Sequence, residues 1–552
     1  MLNLHKKYVT ETYDENNIIK KYSVDLPKTF NFAYDVIDEL GKNSPERRAM
    51  FWCNDSGEEH TFTFSQMMAY SNKMANIFTS YGIKKGDYVM LVLKRHYLFW
   101  FSILALHKIG AIAIPATNLL TAKDYVYRFN SAEVKAVVCV NDDYVTNNII
   151  NAIPNSPTLK LKFISDGKKD GFISIKDELD NASEKFERVP TYRDEHMLLY
   201  FTSGTTGNPK MVRHKHSYSA GHIFTAKHWH NIIPDGLHLT LSDSGWAKSA
   251  WGKIYGQWFM EAGLFVCDFE KFTPADLLPL FEKYQITTFC APPTIFRMFI
   301  KENLSKFNLS SLKYATIAGE ALNPEVYNKF FEATGVKLME AFGQTETTVL
   351  VANTVGMEPK PGSMGTPSPQ YDVHIVDENG NDVDPGAVGE IIIKIPDKNN
   401  APYGIFDGYY KEDNLTDNIW YDGIYHTGDT AWKDEDGYFW YVGRTDDIIK
   451  SSGYRIGPFE IESVLMEHPS VLECAITGVP DDLRGQIIKA TVVLSKGYSP
   501  SEELKLELQN YVKNKTAPYK YPRILEFIDE MPKTISGKIR RKEIRDTHDK
   551  DK

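Results

Sequence analysis

Short β-branched runs bounded by glycine or proline recur between helical patterns along this chain, at residues 135–140, 286–291, 314–318 and 337–339 among others. Strands that alternate with helices in this way pack as α/β layers. After the run at 314–318 come Gly319, Glu320, Ala321, Leu322, Asn323 and Pro324, where Asn323 can cap, and Pro324 open, a helix whose Val326 and Phe330 share one face. That loop therefore lies at the carboxyl end of a strand, where open α/β sheets hold their ligands. From 371 to 395 the pattern changes to strands with turns at 378–380 and 385–386, a β-rich subdomain. Beyond Asp446 it changes again: Ile461, Val464, Leu465 and His468 stand at helical spacing, and strands follow near 472–478 and 490–494. A chain of 552 residues exceeds the roughly 250–300 at which one core stops growing, so several domains are expected, the last a separate α+β module.

Composition narrows the function. The formal net charge of -10 gives no general attraction for nucleic-acid phosphates, so no nucleic-acid partner is expected. Cys53, Cys139, Cys267, Cys290 and Cys474 are odd in number and scattered, which fits neither a disulfide framework nor metal-binding spacing and suggests a reducing compartment. The most apolar stretch, 97–115, contains His107 and Lys108 and falls short of the ~20 apolar residues of a spanning helix. It reads as a buried helix followed by a strand, and no transmembrane segment is expected. The N-terminus turns acidic and polar where a secretory signal would be apolar, so a cytoplasmic protein is expected.

Residues 198–201 read as a buried strand that runs into Thr202, Ser203, Gly204, Thr205, Thr206, Gly207, Asn208, Pro209 and Lys210. Small residues let a ligand approach the backbone, Gly204 and Gly207 allow unusual dihedrals, and the hydroxyls with Lys210 offer donors to phosphate oxygens. Met211 after Lys210, together with the glycine spacing, separates the segment from a Walker A loop. A random cluster of this composition is usually a surface turn. The order TSGTTGNPK, however, resembles the signature loop of the adenylate-forming superfamily, which includes acyl-CoA synthetases (the medium-chain branch above all), peptide-synthetase adenylation domains and luciferases.

Further positions along nearly the whole chain are similar to that family in order and spacing. Gly319, Glu320 and Ala321 resemble its adenine-binding loop. Phe342, Gly343, Gln344, Thr345 and Glu346, with Glu340 just before them, resemble its Tyr-Gly-x-Thr-Glu element with Phe in place of Tyr. Residues 425–429 resemble the segment whose aspartate grips ribose, 443–455 the crossover hinge, and 532–538 the terminal loop with the catalytic lysine.

The resemblance implies an α/β fold: an N-terminal adenylation region, 1–445, of two packed α/β subdomains plus a small β subdomain, and a small mobile α+β domain, 446–552. It also implies ATP, a carboxylic acid and coenzyme A as substrates and Mg²⁺ as cofactor. A carboxylate is a poor acyl donor, so condensation with the α-phosphate of ATP makes a mixed anhydride, and the meeting of two anions calls for a cation. By resemblance that cation is Lys538. Glu346 is a hard oxygen ligand suited to Mg²⁺, and Thr345 is a donor to the same phosphates. Asp429 and Arg444 take the ribose contacts, Arg455 a phosphate contact, and Asp446 the hinge. Rotation of the last domain then admits coenzyme A, with Ser452, Gly453 and Tyr454 at its tunnel and Arg484, Tyr519, Lys520 and Tyr521 as further contacts. Outside these motifs each residue would be ordinary: a surface lysine, a solvated carboxylate, a turn aspartate.

Gly343 takes the place where acetate-specific relatives carry a tryptophan that closes the acyl pocket. Its absence implies a deeper pocket and a medium-chain or branched acid, with Trp246 and Trp251 as residues able to narrow it. The expected reaction converts ATP, acid and coenzyme A into acyl-CoA, AMP and pyrophosphate. Two alternatives stand beside it: a stand-alone enzyme that loads a carrier protein, and a catalytically silent nucleotide-binding relative.

Overall fold

A computed structural model describes residues 1–202, 208–452, 454–534 and 538–550, with side chains through Thr547. It is a mixed α/β chain, as expected. In a seven-stranded sheet, Tyr88–Val92, Ile112–Pro115, Ala136–Cys139, Leu161–Ile164, Ile173–Ser174 and His196–Thr202 run parallel, and Lys210–Lys215 joins His196–Thr202 antiparallel at the edge. In a nine-stranded sheet, Arg48–Asn54, Gly263–Asp268, Leu237–Thr240, Thr288–Ala291, Tyr314–Ile317 and Leu338–Gly343 are parallel. Parallel strands covered on both faces read as unbroken apolar runs. Ala136–Cys139 and Thr288–Ala291 are accordingly buried at every position.

The apolar stretch at 97–115 is the buried helix Leu98–Ile109 followed by the strand Ile112–Pro115. Lys108, which interrupts it, holds its ammonium 2.6 Å from both Asp38 Oδ1 and Asn72 Oδ1, so the buried charge is paired. Gly110 at φ 78° ends the helix. Among the described residues no helix is long and apolar enough to cross a membrane.

The β-rich segment forms an antiparallel sheet of Val373–Val376, Gly389–Lys394, Trp420–Tyr421, Ile424–Lys433 and Phe439–Arg444 around Ile375, Ile391, Tyr425 and Phe439. The last sheet contains Ile449–Ser451, Tyr454–Ile456, Val471–Asp481, Gly485–Leu494 and Ile524–Phe527. Helices Pro458–Met466 and Glu502–Lys515 pack on it through their own core of Ile461, Leu465, Leu508 and Val512. A terminal helix, Arg541–Lys550, ties Arg545 to Asp447 at 2.7 Å and Arg541 to Glu462 at 2.7 Å. The helix expected after the loop at 319 is Pro324–Thr334, and Asn323 caps it by accepting from the Glu325 N–H at 2.7 Å.

Candidate active site

The strands His196–Thr202 and Lys210–Lys215 pair antiparallel with Thr202 opposite Lys210, so the ladder closes the signature loop at its base. Ser203, Gly204, Thr205, Thr206 and Gly207 lie outside the described residues. The Lys210 ammonium stands 4.9 Å from the centre of the Tyr409 ring, and the Tyr409 hydroxyl donates to Glu346 Oε1 at 2.8 Å. Burial and the nearby carboxylate hold that phenol well above its ordinary pKa, so it remains a donor. His214, on the loop's second strand, donates from Nε2 to the Thr345 carbonyl at 2.9 Å. Burial depresses its imidazole to about 3, which keeps it neutral. The strand that follows the loop is thus tied to Thr345 and Glu346.

A second group gathers on the β-rich sheet. Register sets Asp429 opposite Arg444. Asp429 is only 5 % exposed, yet its carboxylate accepts from the Tyr441 hydroxyl at 3.0 Å, the Gln344 amide at 2.5 Å and Arg444 Nη1 at 3.4 Å. Burial pushes its pKa up, and Arg444, Gln344, Tyr441 and the charge of Lys538 work against that push. Gln344 is fixed further by donating to the Thr427 carbonyl and accepting from Tyr425, both at 2.7 Å. Phe342 lies beside the Tyr441 ring at 6.2 Å. The Arg444 guanidinium also reaches Asp446 at 3.6 Å. Lys538 itself is exposed; its N–H donates to Thr534 Oγ1 at 3.2 Å and its carbonyl accepts from the Thr534 N–H at 2.8 Å.

The adenine-loop candidates sit at the carboxyl end of Tyr314–Ile317, with Gly319 at φ 106°, a conformation that favours glycine. Glu320 is exposed and pairs with Arg297 at 3.4 Å, and Ala321 is half-buried. Glu340 is buried beneath this loop, where one oxygen accepts from the Leu322 N–H at 3.1 Å, and burial raises its carboxyl to about 8. It therefore supports the loop from below.

On the acyl side Gly343 and Trp251 come together. A Cβ added at Gly343 would lie 2.5 Å from the Trp251 indole and 2.4 Å from the Thr348 carbonyl. An aromatic wall from another element, the helix Lys248–Lys253, stands in the space beside Gly343 through Trp251, one of the residues expected to be able to narrow the pocket. Trp246 is half-buried in the turn before that helix.

Of the coenzyme A candidates, Arg484 donates to Ser452 Oγ at 3.1 Å, and the Tyr454 and Tyr519 rings stack at 4.0 Å. Lys520 is held by Glu460 at 2.6 Å, and Tyr521 packs against the C-terminal core. Gly453 lies outside the described residues. Arg455 pairs with Glu378 of the β-rich sheet's turn. Sequence reasoning did not single out Tyr409, Tyr441, Tyr425 or His214. Tyr425 stood inside a quoted motif and Tyr441 two alternating positions from Phe439, but Tyr409 had no local signal.

Residues 37–410 match the AMP-binding enzyme family, and residues 460–538 match the AMP-binding enzyme C-terminal domain. Acyl-coenzyme A synthetase ACSM3, mitochondrial, from Mus musculus is 40% identical over 558 residues, covering 98% of this chain and 95% of the relative. Acyl-coenzyme A synthetase ACSM4, mitochondrial, from Mus musculus is 40% identical over 545 residues, covering 97% and 93%. The crystal structure of the anthranilate CoA ligase AuaEII in complex with anthranoyl-AMP is similar with a TM-score of 0.85 at 27% identity, covering 96% of this chain and 99% of that one. The Brucella canis acyl-CoA synthetase gives 0.71 at 30% identity, covering 96% of each. The matched relatives are named mitochondrial, a finding that overturns the cytoplasmic expectation. A chain that matches both modules of this family between residues 37 and 538, and its acyl-CoA-synthesising relatives over almost their whole length, belongs to the AMP-binding enzymes as an AMP-forming acyl-CoA synthetase, an acid–thiol ligase.

Proposed function

We propose that this ligase activates short or branched carboxylic acids in preference to long straight chains. The observation that carries the reading is the Trp251 indole lying against Gly343, where an acyl tail would otherwise extend. An aromatic wall limits depth more than width, which favours a branch near the carboxylate over added methylenes.

Residue roles follow from charge and position. Asp429 accepts the ribose hydroxyls with Arg444 beside it, and the adenine lies over the loop that Glu340 supports. Lys210 and Thr345 donate to phosphate oxygens. Lys538 neutralises the meeting of the acid's carboxylate with the α-phosphate, where charge develops in the transition state. Among the described residues no group of three or more His, Cys, Asp or Glu could hold a metal alone. Glu346 offers a single hard carboxylate, which suits Mg²⁺ carried in on the nucleotide and completed by phosphate and water; the ion would screen the phosphate charges. For the second half reaction we infer that residues 446–552 turn about Asp446 and bring Ser452, Tyr454, Arg484 and Tyr519 toward coenzyme A.

Release of AMP and pyrophosphate with Mg-ATP and coenzyme A, measured from acetate to decanoate and with branched and aromatic acids, tests the substrate class. Highest kcat/KM is expected for short or branched acids. A maximum at octanoate or decanoate would overturn it.

A further inference from the structure

Cys53 and Cys267 stand side by side on the neighbouring parallel strands Arg48–Asn54 and Gly263–Asp268, as direct register partners. Registered neighbours in a sheet present their side chains to the same face at a strand spacing of about 4.8 Å, inside the ~4.4–6.8 Å Cα separation that a disulfide accepts. The two thiols interact electrostatically, each shifting the other's pKa. Both residues lie near the carboxyl ends of their strands and line one cavity of about 160 Å³, walled by the 54–59 turn and by Leu277, Leu280 and Lys283 of the helix Pro274–Tyr284.

The other cysteines have no such arrangement. Cys139 faces Val92 and Ile164 across its strands, Cys290 faces Thr240 and Thr316, and Cys474 faces Val492. The thiols of Cys139 and Cys474 donate to the carbonyls of Phe163 and Glu462. Burial raises the pKa of all three. In this pair the neighbouring Cys267 lowers the Cys53 pKa against burial, while Cys53 and burial raise that of Cys267.

We propose that Cys53 and Cys267 form a redox-active dithiol, a modification site that a hydroperoxide closes to a disulfide. The Cys53 thiolate attacks the terminal peroxide oxygen, the O–O bond breaks, and the departing alkoxide or hydroxide takes up the thiol's proton. The resulting sulfenic acid is attacked by the Cys267 sulfur, which forms the S–S bond and releases water carrying the Cys267 proton. Two thiols lose two electrons and two protons, and the hydroperoxide is reduced to an alcohol, or to water when hydrogen peroxide is used, plus one further water.

The test treats the native full-length enzyme with hydrogen peroxide, alkylates the remaining thiols after denaturation, and maps digests by mass spectrometry. A Cys53–Cys267 cross-linked peptide that dithiothreitol reverses is expected, with Cys139, Cys290 and Cys474 alkylated. Cys267→Ser should instead accumulate a dimedone-reactive sulfenic acid at Cys53, and Cys53→Ser should leave Cys267 reduced. Phenylarsine oxide, which bridges two thiols within reach, should protect Cys53 and Cys267 together in the untreated wild-type enzyme, which requires no variant to fold. Independent oxidation of the two cysteines, no cross-link at peroxide levels that oxidise Cys53, or no joint protection by the arsenical would overturn the proposal.

Discussion

Asp429 and Arg444 are direct cross-strand partners, and their side chains meet at 3.4 Å while the same guanidinium stands 3.6 Å from Asp446. One positive group is therefore divided between the carboxylate assigned to ribose and the carboxylate assigned to the hinge. Asp429→Asn keeps the shape and removes the charge. Charged hydrogen bonds contribute about 1.5–3 kcal/mol each, so the KM for ATP is expected to rise roughly 10- to 100-fold with little change in the KM for the acid. Steady-state kinetics with each substrate varied in turn would check it, and equal rises in both constants would argue for general damage.

Lys538→Ala should separate the two half reactions. Loss of the cation at the junction of two anions is expected to slow acid-dependent pyrophosphate exchange by about 10²–10³-fold. Acyl transfer from supplied acyl-adenylate to coenzyme A should stay within a few-fold of wild type. Comparable loss in both assays would remove Lys538 from its assigned step.

Trp251→Ala should lengthen the preferred acid. Each methylene accommodated in an apolar pocket changes selectivity by about 1–3 kcal/mol, so the ratio of kcat/KM for hexanoate over a short branched acid should rise at least about tenfold. Removing a buried indole also costs stability, about 3–5 kcal/mol, so the ratio is the readout and not the absolute rate. An unchanged ratio in a folded variant would mean that the tail leaves the site by another route.

Glu340 gives the stability of the enzyme a pH dependence. The folded carboxyl keeps its proton up to about 8, whereas an ordinary glutamate loses it near 4.5. Between those values the folded state binds more protons than the unfolded one, so this contribution is fully present below the window and is lost as pH rises through it, by up to about 1.4 kcal/mol per pH unit. Glu340→Gln keeps an acceptor for the Leu322 N–H but has no proton to lose. Its thermal midpoint should exceed that of wild type increasingly toward the upper end of the window, and parallel pH profiles would contradict the assignment.

The elements legible in the sequence were those fixed by local rules. The strand at 314–318, the Asn323 cap and the helix Pro324–Thr334 follow from neighbours a few residues apart. The convergence of Asp429, Arg444 and Gln344 was legible only because each stood in a motif of characteristic order. Contacts between distant segments were not. Nothing near Tyr409 announced that it would reach Glu346, and Trp251, although expected to be able to narrow the acyl pocket, carried no local sign that it would do so against Gly343. Such meetings depend on tertiary packing, which no periodicity of 2 or 3.6 encodes. Arg455 illustrates the reverse case, since its motif position was clear while the partner it meets, Glu378, belongs to another sheet.

The pairing of Thr202 with Lys210 constrains how this protein can vary. Side chains alternate between the two faces of a strand, so a one-residue slip would exchange the inside and outside of Lys210–Lys215 and turn Met211, Val212 and His214 about. His214 carries the Thr345 carbonyl, so the slip would be felt more than a hundred residues away. Substitutions within the loop leave that ladder intact, whereas a length change transmitted into the strand does not. The spacing between Thr202 and Lys210 is thus a geometric ruler, and insertions there should be tolerated far less readily than changes of residue.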